Sequence, residues 1–139
     1  MDYGLASRYV HMGIHRPFEP DQRSAHEGTL EYVSRDGHLG CVSRRGDMEC
    51  LLYVIIEWLG GHLPWDTDTD DRLKPDTIQK MKIDAFHDVK GFLTHKAFKG
   101  QTYPQLVEDL MKMVKQMRFE EAPDYNLFRS LFRYDGNCF

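Results

Sequence analysis

The pattern of apolar positions changes near residue 43. Over residues 2–45 no spacing of 3.6 or 2 residues is sustained, and glycines and polar side chains recur, so we expect little regular structure there. Residues 43–59 follow, and the second half of this stretch is mostly apolar, above all Leu51–Ile56. This stretch is long for a strand, and Gly60 and Gly61 provide a helix end. We therefore predict a central, enclosed helix.

Three further helices are predicted after it. The second begins near Asp76 and closes at Gly91. The third opens with a capping box formed by Thr102 and Gln105, and the fourth opens with Asp124 as its N-cap. Their expected buried faces are Ile78, Met81, Ala85, Phe86 and Val89 in the second, Leu106, Val107, Leu110, Met111, Val114 and Met117 in the third, and Leu127, Phe128, Leu131 and Phe132 in the fourth. The fold class is therefore mainly α.

Length, charge and cysteine content narrow the class of protein. A chain of 139 residues is expected to form one domain with a real core. With 18 basic and 22 acidic residues the net charge is −4, which predicts no direct binding to nucleic acid. Three cysteines without a C-x-x-C pair favour a reducing compartment. The longest apolar run is far below the length of a membrane span, so no membrane partner is expected.

Two metal motifs begin in the sequence and are not completed. His26–Glu27 starts a zinc-protease motif, but Leu30 stands where the second histidine is required. The aspartates of residues 66–70 resemble the start of a calcium loop that lacks the required glycine and glutamate. Neither a zinc site nor a calcium site is predicted.

Several motifs follow one another in a fixed order. They are Asp2-Tyr3-Gly4-Leu5-Ala6, Gly28-Thr29-Leu30-Glu31-Tyr32, Ser43-Arg44-Arg45-Gly46-Asp47-Met48-Glu49, Gly61-His62-Leu63-Pro64-Trp65 and Phe119-Glu120-Glu121-Ala122-Pro123-Asp124-Tyr125. With them the chain resembles a protein kinase of the casein kinase 1 superfamily and is most similar to the vaccinia-related kinases. The resemblance covers essentially the whole chain and is weakest over residues 66–100 and 134–139.

This resemblance implies the C-terminal lobe half of the protein kinase fold, an activation segment followed by about four helices. Residues 1–42 would hold the metal-binding triplet and the activation segment, and residues 43–133 the helical lobe. The N-terminal lobe and the catalytic loop have no counterpart in the sequence. We therefore expect residues 1–139 to be a partial kinase domain.

The resemblance also assigns roles to single residues. Asp2 would ligate the Mg²⁺ that bridges the nucleotide phosphates, and Gly4 would allow the sharp turn behind it. Gly28 and Thr29 would form the substrate-facing loop. Asp47, in the first turn of the central helix, would accept hydrogen bonds from the backbone of the catalytic loop.

One motif departs from the general kinase pattern. Where most kinases have Ala-Pro-Glu, this chain has Ser34-Arg35-Asp36, as relatives in this superfamily do. On this basis Asp36 is expected to pair with Arg129.

The sequence contains no Gly-rich phosphate loop, strand lysine or His-Arg-Asp motif, so no catalytic residue is assigned. The intact family member would use ATP and Mg²⁺ to phosphorylate Ser/Thr in proteins, including nuclear or chromatin proteins, in the nucleus or cytoplasm. We expect this chain, as a fragment of such a kinase, to be inactive and to bind neither cofactor tightly. The alternative is a non-catalytic helical interaction or scaffold module derived from a kinase lobe.

Overall fold

The computed structural model of the chain describes residues 3–66 and 73–132. Two strands, β1 (Val10–His11) and β2 (Ile14–His15), and a 3-10 helix (Gly37–Leu39) precede the helices α1 (Arg44–Trp58), α2 (Pro75–His87), α3 (Val89–Gly91), α4 (Gln105–Gln116) and α5 (Tyr125–Leu131). A π-helical segment (Phe92–Ala97) continues α3. The predicted mainly α-helical fold is confirmed.

The segment before α1 has little regular structure, as predicted. Its antiparallel strands pair Val10 with His15 and are only two residues long each. The turn between them places Met12 and Gly13 at φ 50° and 80°. The rest of the segment consists of turns, irregular stretches and the 3-10 helix.

The central helix is confirmed as α1. The Ser43 hydroxyl accepts the Gly46 N–H at 2.9 Å and so caps its first turn. The core face carries Leu52, Tyr53 and Ile56. The helix is enclosed only in part, however, because Leu51 and Trp58 are 45% and 80% exposed.

The second predicted helix is confirmed as α2, but its predicted end at Gly91 is wrong. The chain leaves the helix at Asp88 (φ −121°, ψ 81°), whose side chain then accepts the Gly91 N–H at 3.0 Å and caps α3. Helical structure continues to Ala97 and stops before Lys99 and Gly100, at φ 49° and 82°. A left-handed pair ends this stretch, in the manner expected of a helix terminus.

The third predicted helix is confirmed as α4, and its predicted capping box is wrong. The N-cap position belongs to Pro104, whose side chain has no acceptor, and Thr102 lies two residues before this N-cap. The apolar face is buried as predicted at Val107, Leu110 and other core positions. Apolar spacing therefore located the helix, whereas the local motif misplaced its start.

The fourth helix is confirmed as α5 with Asp124 as its N-cap. The Asp124 carboxylate accepts N–H groups of Asn126 and Leu127 at 3.1 and 3.0 Å. Its predicted buried stripe is only partly correct, because Phe128 is buried while Leu127 and Phe132 are 49% and 50% exposed.

A single core lies between α1, α2, α4 and the π-helical segment. Its members are Leu52, Tyr53, Ile55, Ile56, Leu63, Trp65, Ile78, Ala85, Phe86, Val89, Phe92, Leu93, Ala97, Phe98, Val107, Leu110, Met111, Val114, Met117 and Phe128. Within the described ranges, no helix combines the length and the apolar character needed to cross a membrane.

Candidate functional site

A cavity of about 790 Å³ lies between the N-terminal segment and the first turns of α1. Its wall includes Leu5, next to the Asp2-Tyr3-Gly4 triplet, and Glu27, next to Gly28. Asp47 lines it from α1. The fold thus brings residues near three of the predicted site motifs to one cavity.

The loop that begins with Gly28 and Thr29 forms a tight, exposed turn. Gly28 has φ 99°, a conformation that favours glycine. The Thr29 carbonyl accepts the N–H groups of Tyr32 and Val33 at 2.9 and 3.1 Å. A Cβ on Gly28 would lie 3.6 Å from Leu5 Cδ1, so this loop and the segment after the triplet are close neighbours. Whether the loop faces a substrate stays a prediction.

Asp47 lies in the first turn of α1, as predicted. Among the residues that the structure describes, no donor reaches its carboxylate. The reduced contact with water at the cavity wall raises its pKa above 3.8, although the residue as a whole remains exposed. Asp47 is therefore an available acceptor at the cavity.

The predicted pair of Asp36 and Arg129 is wrong. The Asp36 carboxylate instead binds Arg45, at 2.6 Å to Nη2 and 3.0 Å to Nε, and accepts the Ser43 hydroxyl at 2.7 Å. Arg129 is exposed and donates to Asn126 of its own helix at 3.2 Å. Arg45 lies one residue after the start of α1, whereas Arg129 lies on α5. The buried Asp36 carboxylate therefore binds the arginine that is nearer to it in the chain.

Asp36 thereby ties the N-terminal segment to the helices. Arg45 also donates to the Met117 carbonyl at 3.1 Å, so one guanidinium joins the segment to the end of α4. Gly46 permits close contact with the segment, because a Cβ there would lie 2.8 Å from Ser34 Oγ.

A second buried ionic cluster, which the sequence did not single out, surrounds Glu49 on α1. Its carboxylate accepts the Arg35 N–H and Nε–H at 2.8 and 3.0 Å and the Tyr53 hydroxyl at 2.6 Å. The Arg35 guanidinium in turn lies 3.6 Å from the centre of the Phe86 ring. The side chain of Glu49 is almost fully buried, so these contacts offset the loss of its hydration.

The metal role predicted for Asp2 falls on a residue outside the described part of the chain. Gly4 lies, as expected, in a turn, which the Ala6 N–H closes on the Tyr3 carbonyl at 2.9 Å. Within residues 3–66 and 73–132 there is no group of three or more His, Cys, Asp or Glu side chains arranged to hold a metal ion. The described residues alone do not fit a complete Mg²⁺–nucleotide site.

The fold shown by these elements is that of a partial protein kinase domain, the activation segment with the helical lobe. Comparison with a solved structure of vaccinia-related kinase 3 supports this directly, with a TM-score of 0.78 and 32% identity over 94% of this chain and 40% of that one.

Sequence relatives lead to the same family. The chain is 43% identical over 95% of its length to Nucleosomal histone kinase 1 of Drosophila melanogaster and 36% identical over 94% to the B1 kinase of vaccinia virus. It spans 21% and 43% of the lengths of these two relatives. No protein-family model matches the chain. The chain is homologous to the vaccinia-related serine/threonine kinases, which confirms the resemblance drawn from its motifs.

Proposed function

We propose that residues 1–139 form the substrate-facing part of a serine/threonine protein kinase and do not catalyse phosphoryl transfer by themselves. The observation that carries this proposal is the cavity where Leu5, Glu27 and Asp47 converge, with the Asp47 carboxylate available to accept hydrogen bonds. In the family, that carboxylate would bind the catalytic loop, which supplies the general base. Asp2 would contribute one ligand to Mg²⁺ and Gly28–Thr29 would contact the peptide.

The experiment compares residues 1–139 alone with the same residues fused behind the upstream half of the catalytic domain of a vaccinia-related kinase. We expect the isolated chain to transfer no phosphate above a blank and to show no saturable Mg²⁺-dependent ATP binding, because one carboxylate cannot position and neutralise the phosphates. The fusion should phosphorylate protein substrate and lose that activity with Asp2→Ala. Saturable Mg²⁺–ATP binding by the isolated chain, abolished by Asp2→Ala, would contradict the proposal.

The substrate and the location follow from the relatives only by analogy. One relative is called a nucleosomal histone kinase, so we propose chromatin proteins as substrates of the intact kinase and the nucleus as its place of action. Phosphorylation of free histones and of nucleosomes by the fusion, with the Asp2→Ala protein as the blank, tests the substrate. A fusion that is active on casein but not on either histone preparation would refute this assignment.

A non-catalytic interaction module is the second candidate, and one observation favours it. An apolar face towards the end of the central helix is exposed. It consists of Leu51, Trp58 and Leu59, which are 45%, 80% and 39% exposed. A helix or loop from another protein could cover this face. Binding of the isolated chain to the upstream half supplied as a separate polypeptide, without any gain of kinase activity, would support this candidate over the first.

A further inference from the structure

Lys82 is a completely buried lysine on α2 that binds the backbone of the Gly28–Thr29 loop. Its Nζ lies 2.7 Å from the Leu30 carbonyl oxygen and 2.6 Å from that of Val33. Leu30 lies within the turn that Thr29 closes, and Val33 is at its end. An ammonium group has three donors, and the third points to His38 Nε2 at 3.2 Å.

The hydrogen bonds around Lys82 determine the tautomers of two neutral histidines. An ammonium group has no lone pair, so His38 Nε2 accepts from it and neutral His38 carries its proton on Nδ1. That N–H donates to Nδ1 of His26 at 2.8 Å. Neutral His26 then has its proton on Nε2, which lies 3.7 Å from the Asp76 carboxylate at the surface. These tautomers are inferred from the hydrogen-bond network.

Burial keeps His38 neutral. It lowers the pKa of His38 to about 3, and the nearby Lys82 and His26 act in the same direction. Protonation of His38 would also place a hydrogen on Nε2, directly facing the Lys82 ammonium. His38 therefore acts as a fixed acceptor for Lys82 at neutral pH.

Lys82 holds its proton less strongly than an exposed lysine does. Burial lowers its pKa to about 8, while Glu49, Cys50 and Glu31 oppose this change. The ring faces of Tyr53 and Trp65 lie 5.0 and 5.4 Å from Nζ and also favour the charged form. The charge-assisted bonds to the loop thus exist at neutral pH and weaken within the mildly alkaline range.

Loss of that proton changes the whole hydrogen-bond chain. A neutral amine has a lone pair, which can accept a hydrogen bond from His38 Nε2–H after the His38 tautomer inverts. His38 Nδ1 then becomes an acceptor and requires a proton on Nδ1 of His26. In neutral His26 this leaves an Nε2 lone pair 3.7 Å from the exposed Asp76 carboxylate, a weak repulsion that solvent screens. The protonated state of Lys82 is therefore coupled to both histidines and to the loop.

We propose that Lys82 is a positioning residue for the loop after Gly28–Thr29, and that the His38 tautomer follows its protonation. The function of that loop in contacting peptide rests on the proposed kinase function. Lys82 acts through the Leu30 and Val33 carbonyls and does not touch the reacting atoms. The contacts of Lys82 with the Leu30 and Val33 carbonyls lie within the described residues, and they do not depend on whether the chain takes part in phosphoryl transfer.

The first test is a nuclear magnetic resonance titration of unmodified residues 1–139. Nitrogen signals of His38 should show Nδ1–H at neutral pH and should change to Nε2–H as Lys82 Nζ titrates, near its pKa of about 8. The carbonyl carbons of Leu30 and Val33 should shift in the same step. A titration of Lys82 that leaves the His38 tautomer and both carbonyl signals unchanged would overturn the proposal.

The second test compares Lys82→Met with Lys80→Met, an exposed position on the same helix. Lys82→Met should accelerate amide hydrogen exchange of Tyr32 and Val33 by about tenfold relative to the core amide of Leu110, because the two carbonyls lose their donor. Lys80→Met should leave that ratio unchanged. An unchanged ratio in folded Lys82→Met would refute the positioning role. If this variant does not fold, the titration of the unmodified chain still tests the proposal.

Kinetics of the fusion protein connect the loop to its substrate. There Lys82→Met should raise the KM for peptide severalfold with little change in the KM for ATP. An equal loss for both substrates would indicate a general structural defect and would overturn the assignment to the peptide loop. The resonance and exchange tests need no catalysis, so their failure is distinguishable from a failure of the proposed kinase function.

Discussion

Asp47 combines two opposing electrostatic effects. It lies in the first turn of α1, where the helix dipole favours a carboxylate by about 0.3–1 kcal/mol. The cavity wall acts in the opposite direction and raises its pKa. No donor among the described residues reaches the carboxylate, so the loss of hydration prevails and the pKa of Asp47 is raised. A structure that supplied donors to the cavity would change this balance in favour of the charged form.

Asp47→Asn in residues 1–139 should therefore leave the melting temperature at neutral pH equal or slightly higher. The corresponding gain in the free energy of unfolding should be at most about 0.5 kcal/mol. The direction in which this effect changes with pH follows from the raised pKa of Asp47 in the folded chain. The protonated form contributes stability that is present below the unfolded value of 3.8 and lost as pH rises through the folded pKa. Any advantage of the asparagine should disappear in acid. Thermal melts of both proteins across this range measure it.

The same substitution should have the opposite effect in the fusion with an upstream kinase half. There it removes an acceptor of charge-assisted bonds from the catalytic loop and should cost about 2–4 kcal/mol together with activity. Equal destabilisation of both proteins would mean that Asp47 has a partner within residues 1–139. That result would favour the self-contained interaction module.

Some important residues could be identified from sequence motifs, whereas others are recognised only from their contacts in the folded structure. Asp47 and Gly28 stand in motifs, so their placement in the first turn of α1 and in a tight turn could be anticipated. Glu49 and Lys82 stand in no assigned role, yet each interrupts an apolar helix face. Lys82 lies four residues after buried Ile78 and should have indicated a buried charge with partners. Those partners are backbone carbonyls of a loop, and no residue pattern specifies them.

At the scale of the helix, the N-caps of α1 and α5 allow a matched comparison. Ser43 is buried, accepts the Gly46 N–H and donates to Asp36 at 2.7 Å, whereas Asp124 is exposed and only caps its helix. Ser43→Ala should cost about 2–3 kcal/mol, because it removes a cap and leaves a buried carboxylate with one donor fewer. Asp124→Ala should cost about 1 kcal/mol. Urea unfolding of both variants measures the difference.

Equal losses of stability for the two cap variants would show that the Asp36 contact adds nothing to the cap. In that event the ionic ties between the N-terminal segment and α1 would be the Asp36–Arg45 and Arg35–Glu49 pairs. A loss in Ser43→Ala that is restored by Ser43→Thr would support the assignment, because threonine keeps the hydroxyl group.

Helix boundaries were less predictable than helix positions, for a physical reason. Apolar spacing reflects packing of a whole face, so α2 and α4 were located from it, whereas α1 was predicted from the length of its apolar stretch. Ends depend on one or two backbone conformations. Gly91 is helical because the Asp88 side chain restarts the helix at its N–H. Thr102 does not cap α4 because Pro104 occupies the N-cap position. That assignment comes from the folded backbone.

At the scale of the molecule, the notable feature is an apolar face of α1 that the described residues do not cover. Leu51, Trp58 and Leu59 form this exposed face, and it borders an apolar cavity of about 270 Å³ between α1, α4 and α5. Its lining consists of Met48, Leu51, Leu52, Ile55, Leu110, Val114, Tyr125, Phe128, Arg129 and Phe132. Only Arg129 carries a charge there. In water, such a surface favours contact with another apolar surface.

The last prediction concerns self-association of residues 1–139. The isolated chain should bind a hydrophobic dye and sediment as dimers or larger species, because two exposed faces can cover each other. Leu51→Glu combined with Trp58→Glu should abolish both signals by placing charges on the face. Ile83→Glu is the matched control, since Ile83 is 44% exposed on α2 and outside this face. It should leave sedimentation and dye binding unchanged. A sharp monomer without dye binding in the unmodified chain would contradict the view that the α1 face requires a partner.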